Sequence, residues 1–255
     1  IDTTGTIKCK DLGIPVKGEG IFSLTGNSDG TMLFGLSFPG GLFFSYNIES
    51  GETQTFTDIA PSQKELKKLS QFSIKPDSYL SKSLILDNQG LVYGSMPINS
   101  LFCFNPKDQT FQIIKNCLPE VWGRNVLGQV ESWAKSSEGE LYGGNAGDGQ
   151  LFELDPETKK VKNLGKTAMM PRLRGLTFGR DGKLYGITGS LPGYSHLFSF
   201  SIEDGFHDYG NPEFKMAIDG IESGINWRGF QLGTIASSID GKYIVIGEDE
   251  ALSQL

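Results

Sequence analysis

No apolar run in this sequence approaches the ~18 residues that a membrane-spanning helix needs, so the chain offers no helical membrane span. Basic charge is also short: 23 Lys and Arg against 30 Asp and Glu leave a net charge of -7. Binding along a nucleic-acid backbone needs clustered Lys and Arg, and that balance argues against it. Cysteine is scarce, and Cys9, Cys103 and Cys117 are an odd number without metal-ligand spacing. Cys103 and Cys117 flank a hairpin whose turn lies near Lys107. That register sets Cys103 opposite Gln112 and the two sulfurs too far apart to bridge. All three thiols are expected as small buried hydrophobes. No signal peptide is visible. Ile1 is not a natural initiation residue, however, and a leader removed before it would place the protein outside the cytoplasm.

Glycine, by contrast, fills 34 of 255 positions, well above the ordinary ~7% share. The glycines recur in phase. Glu138 to Gly165 holds three strand-like runs, Leu141-Tyr142, Leu151 to Leu154 and Lys160 to Leu164, separated by Gly, Asp and Pro turns. Tyr142-Gly143 returns as Phe34-Gly35, Tyr93-Gly94, Tyr185-Gly186 and, more loosely, Ile246-Gly247. Leu151-Phe152 returns as Leu42-Phe43, Leu101-Phe102 and Leu197-Phe198. A unit of this size cannot bury both faces alone and needs neighbours of its own kind. Repeats are expected over about 19–58, 81–115, 131–165, 174–210 and 230–255 plus 1–13, making one domain over residues 1–255. Asp-Gly recurs at the first turn of three units (Asp29-Gly30, Asp181-Gly182, Asp240-Gly241), as tight hairpins needing positive φ require. Single turn aspartates on separate units do not converge, so no metal and no cofactor is expected. Ser62 to Gln71 reads as a short amphipathic helix with Ser62 as its N-cap.

Residues 1–13 match the tail of a repeat with one residue inserted: Ile1 falls on Leu154 and Gly13 on Gly165. Leu255 falls at the start of a third strand. The expectation is therefore an all-β propeller of five four-stranded blades, the last completed by the N-terminal strand, because a slice of a longer ring leaves costly open sheet surfaces. The string from Leu141 to Gly165, L-Y-G…L-F-x-x-D-P-x-T-x-x-x-x-x-L-G, resembles blades of quinoprotein-like, SMP-30-like and streptogramin-lyase-like propellers. The resemblance implies four-stranded blades around a channel. It carries over no catalytic residue: the quinoprotein Trp docking pattern is missing, and His196 and His207 do not reproduce the paired histidines of the lyases.

In such a fold the connections from strand four to the next strand one, and from strand two to three, open on one face. They are the long ones here: 59–80, 116–130, 211–230 and Leu191 to His196. Long loops on a rigid scaffold carry function or cap the channel. Trp122, Arg124, Glu222, Trp227 and Arg228 lie in them, a mixture of flat rings and charges suited to sugars. Trp133 reads better as a wedge between blades. Glu131, Arg172 and Arg174 begin inner strands; the two arginines, two residues apart, are expected on one side, able to hold a carboxylate, sulfate or phosphate or to pair with Glu131 or Glu222. Three functions remain open. One is binding of a carbohydrate or other small polar, anionic ligand at the long-loop face. Another is a lyase or hydrolase on an acidic sugar with His196 as general base. The third is a protein-interaction platform.

Overall fold

The computed structural model describes residues 11–57, 59, 64, 67, 80–97, 99–119, 129–189, 195–215, 226–228 and 232–248, with the backbone alone at 213–215 and 226–228. The repeat units are sheets. The first comprises β1 (Gly20–Gly26), β2 (Met32–Phe38), β3 (Phe43–Asn47) and β4 (Thr53–Phe56). The second comprises β5 (Ile85–Leu86), β6 (Val92–Met96), β7 (Ser100–Asn105) and β8 (Thr110–Ile114). The third is built from β9 (Val130–Lys135), β10 (Leu141–Asn145), β11 (Leu151–Leu154) and β12 (Val161–Gly165). The fourth runs β13 (Leu173–Phe178), β14 (Leu184–Thr188), β15 (His196–Ser201) and β16 (Gly205–Gly210). Each is an antiparallel meander in sequence order. A short ribbon, β17 (Glu213–Lys215) with β18 (Asn226–Arg228), lies within the third long interruption, and β19 (Leu232–Ser237) pairs with β20 (Ile244–Glu248) as a partial fifth sheet.

The repeated aromatic-Gly and Leu-Phe pairs have one physical cause. Gly94, Gly143 and Gly186 face Phe102, Phe152 and Phe198 directly across the second and third strands. Each ring lies over the glycine, so that an added Cβ would stand 2.5, 2.1 and 2.4 Å from the ring tip. In the first sheet the partner of Gly35 is Phe44. The phase there is thus Phe43-Phe44, one residue later than the Leu42-Phe43 expected from sequence. Leu42 is accordingly half-buried and Phe43 takes the fully buried place. Leu101 and Leu151 are fully buried as expected. Leu197 is only half-buried, because it packs against the partial fifth sheet.

The core lies between sheets, not within them. Phe34, Phe43 and Phe56 meet Val92, Phe102 and Phe104 between the first two sheets. Tyr93, Leu101 and Cys103 meet Val130, Leu141 and Phe152 between the next two, with Trp133 wedged against Phe152 at 5.4 Å. Ala134, Tyr142 and Leu151 meet Leu173, Leu184 and Phe198, and Ile187 meets Leu232 and Ile235. Cys103 pairs with Gln112 across the hairpin, as the register predicted; Cys103 is buried, Cys117 half-buried, and both are free thiols. Cys9 and most of the Ser62 to Gln71 segment lie outside the described residues, although Lys64 and Lys67 are helical. No described helix is long and apolar enough to cross a membrane. The first strands converge: β13 packs against both β9 and β19, which sets the innermost strands around a common centre.

Candidate functional site

Among the residues expected at the channel mouth, three lie on or beside innermost strands. In four sheets the first strand slips register by one residue, at the same place in three and one position earlier in the fifth sheet, leaving Phe22, Glu131, Arg174 and Gly233 as the extra residues of the bulges. A bulge bends its strand and re-aims the extra side chain. The bulge between Leu173 and Gly175 also breaks the simple alternation expected of Arg172 and Arg174. Arg172 stands just before β13 with φ 59°, and its carbonyl accepts the Thr188 hydroxyl at 2.8 Å and the Gly189 N–H at 3.0 Å. So held, its guanidinium donates through Nε to both carboxylate oxygens of Glu131, at 3.0 and 2.9 Å, and also through Nη2.

Glu131 has a side chain only 7% exposed, and a second cation reaches it: Lys82 Nζ stands 3.5 Å from Oε1. Lys82 precedes Tyr93 by the same interval that separates Glu131 from Tyr142 and Arg174 from Tyr185. Three successive sheets therefore place a charged residue at one position of the repeat. Lys82 was legible by that phase and was missed because it lies before the short strand β5 and not within it. Lys82 and Arg172 thus share the Glu131 carboxylate, with Arg174 at the matching position of the next sheet. Gln129, two residues before Glu131, is buried, and its side-chain nitrogen makes no hydrogen bond among the described residues. Arg174 is half-buried.

His196 lies elsewhere in the fourth sheet. It opens β15, two strands out from β13, roughly 10 Å at the usual strand spacing. Its Nδ1 faces both oxygens of Asp208 on β16 at 3.0 and 2.9 Å. Asp208 was not singled out in the sequence, though the hairpin register that sets Phe198 opposite it would have found it. Trp122, Arg124 and Glu222 lie outside the described residues; Trp227 and Arg228 are placed on β18 by their backbone only. The turn aspartates spend their carboxylates locally: Asp29 accepts from the Thr31 N–H and hydroxyl, and Asp240 from Ser238 and Lys242. Those bonds, led by Thr31 and Ser238 respectively, hold both carboxyls below the ordinary range.

No protein-family profile matches the sequence, and no curated protein does. Solved structures do. The chain is similar to virginiamycin B lyase from Staphylococcus aureus, with TM-score 0.59 and 11% identity over 92% of this chain and 71% of that one. It is similar to a streptogramin B lyase, with TM-score 0.52 and 10% identity over 91% and 92%. It also resembles the extracellular domain of a one-component system from B. thetaiotaomicron, with TM-score 0.59 and 16% identity over 89% of this chain but 26% of that one. At these identities the likeness is one of fold. The protein is an all-β, propeller-like repeat with four complete four-stranded sheets and a fifth described in part.

Proposed function

We propose that this protein is a ligand-binding propeller that takes a small polar anion, such as the carboxylate of an acidic sugar, at the long-loop mouth. The observation that carries this reading is the convergence of Lys82 and Arg172 on Glu131, with Arg174 at the matching position of the next sheet. The Glu131 carboxylate fixes two cations beside one another at the opening. In a partly desolvated opening, the local field outweighs a distant net charge of opposite sign. The Gln129 amide nitrogen supplies a further donor. Trp122 with Arg124, and Trp227 with Arg228 and Glu222, belong to the flanking segments and supply the rim in this reading.

Calorimetric titration with glucuronate and galacturonate oligomers beside their neutral counterparts tests the proposal. Acidic forms should bind, and Lys82→Met should weaken them several-fold without moving the melting temperature. Equal binding of neutral and acidic sugars, or an unaltered affinity in Lys82→Met, removes the basis for an anion site. A second reading, a lyase acting on an acidic sugar, is favoured by the His196–Asp208 pair. A carboxylate on one ring nitrogen orients the imidazole and leaves the other nitrogen for proton transfer. Unsaturated products, detected by absorbance and lost in His196→Gln, distinguish catalysis from binding. The fold reading goes further as well: we infer one ring over residues 1–255, with residues 1–13 adding an outer strand to the fifth sheet.

A further inference from the structure

The turns joining third and fourth strands are one device used four times. Asn47 to Gly51, Asn105 to Gln109, Asp155 to Lys159 and Ser201 to Gly205 each span five residues. In the first three, the last residue donates its N–H to the first carbonyl at 2.9, 2.8 and 2.9 Å. The last residue is left-handed every time: φ is 75° at Gly51, 60° at Gln109, 59° at Lys159 and 71° at Gly205. Where that residue has a side chain, it crosses to the preceding sheet. Gln109 exchanges two amide hydrogen bonds with Gln54 of β4, at 2.8 and 2.9 Å. Lys159 reaches the second sheet, where its ammonium donates to the Tyr93 hydroxyl and stands 4.9 Å from the centre of that ring. The ammonium also donates to the Pro156 carbonyl of its own turn, and the Tyr93 hydroxyl donates to Asp87 at 2.9 Å.

The fourth sheet omits the closing side chain. Gly205 has none, and a Cβ there would meet nothing within 4 Å. On this same face a cleft of about 770 Å³ opens between the third and fourth sheets, within the usual range of ~300–1,000 Å³ for small-molecule sites. Its floor is Tyr142, Phe178 and Phe200; Tyr142 occupies in the third sheet the place of Tyr93 in the second. Asp87 has Ser136 as its counterpart, and the Ser136 hydroxyl turns to Glu140. Tyr142 thus lacks the lysine that reaches Tyr93, and in place of the aspartate its hydroxyl meets Glu140. At the rim stand Glu138, Glu140 and Glu203 with one opposing cation, Arg180.

We propose that this cleft binds a small primary amine, whose ammonium takes the place that Lys159 fills one interface earlier. There it lies at the Tyr142 hydroxyl, within reach of the Ile202 carbonyl, the counterpart of Pro156. Glu140 and Glu203 supply the countercharge. Burial, followed by the charges of Glu140 and Glu153, pushes the Tyr142 phenol up to about 12, so at neutral pH it meets the ammonium as a neutral hydroxyl. A cation at a phenol oxygen and beside carboxylates is held by hydrogen bonding and by charge. This site is on the short-turn face, opposite the mouth, and does not depend on the function proposed there.

The test is a titration of the intact chain with n-pentylamine, an unbranched alkyl ammonium like the lysine side chain, against n-pentanol as the uncharged match. Pentylamine should bind about tenfold more tightly than pentanol, the selectivity expected of a charge-assisted site. Gly205→Lys should supply the missing side chain, abolish amine binding and raise the melting temperature; Gly205→Ala, with the same backbone demand and no ammonium, should bind as the native protein does. Glu140→Gln combined with Glu203→Gln should weaken the amine by about tenfold. Native-like amine binding in Gly205→Lys, or pentanol matching pentylamine, overturns the proposal. Should Gly205→Lys fail to fold, the double glutamine variant decides alone, and an unchanged affinity there is equally fatal.

Discussion

A methyl group on Gly143 would lie 2.1 Å from the Phe152 ring, with no flexible neighbour to yield. Gly143→Ala should therefore destabilise the fold by ~1–3 kcal/mol, the usual cost of overpacking. In a denaturant melt, the added loss should shrink when Phe152 is first shortened to Leu; equal losses in both backgrounds would mean that the ring is not the obstacle. The mouth supplies a second residue-scale contrast. Arg172→Ala leaves a largely buried Glu131 carboxylate with only the more distant Lys82 and should cost ~1–3 kcal/mol. Lys82→Met removes a cation that is 29% exposed and should cost below ~1 kcal/mol. Cys117 extends the argument to pH. Burial raises its thiol from 9.0 to about 11, so the folded chain holds its proton where the unfolded chain releases it. Its stabilising contribution is complete below the unfolded value and is lost as pH rises from about 9 to about 11. Alkylation of Cys117 at pH 8 should consequently be slower in the native protein than in the unfolded chain, and equal rates would contradict the raised value.

At the scale of strands, Leu151 decides whether the repeat was read in the right phase. It is fully buried between the third and fourth sheets, and Leu151→Ala should cost ~2–5 kcal/mol; a loss below ~1 kcal/mol would mean that the interface collapses around the gap. Strand order and hairpin register were legible from sequence because side-chain alternation and turn glycines repeat in every unit, which is why Cys103 could be set opposite Gln112. The first sheet slipped by one residue because Leu42, Phe43 and Phe44 are all apolar, and only contact with Gly35 distinguishes them. Arg172 and Glu131 were legible as residues but their union was one of two open pairings: it depends on a bulge and a left-handed backbone that no pattern of hydrophobicity marks. The Gly205 cleft was invisible for a related reason. It arises from a side chain that the turns ending at Gly51 and Gly205 lack and those ending at Gln109 and Lys159 possess.

The whole molecule turns on how the fifth sheet ends. β20 has β19 on one side and no other partner among the described residues, and Tyr243 and Val245 are exposed there. A bare edge strand invites association with other chains, so folded proteins cover such edges. In the repeat the neighbour of a second strand is a third strand, and 1–13, by its match to Leu154 to Gly165, supplies the end of that strand and the fourth strand beyond it. The residues that follow it fit that route: Leu12 and Val16 pack on Phe44 and Tyr46, the face of the first sheet turned away from the second. A strand lying beyond β20 and continuing into Leu12 would join the fifth sheet to the first and close the ring. Deletion of residues 1–10 should then lower the melting temperature and speed hydrogen exchange at the β20 amides that point away from β19, while β9 and β10 stay protected. Unchanged exchange across Val245 to Gly247 in the deleted chain would show that the N-terminal segment does not complete that sheet, and closure by it would have to be abandoned even if the melting temperature fell.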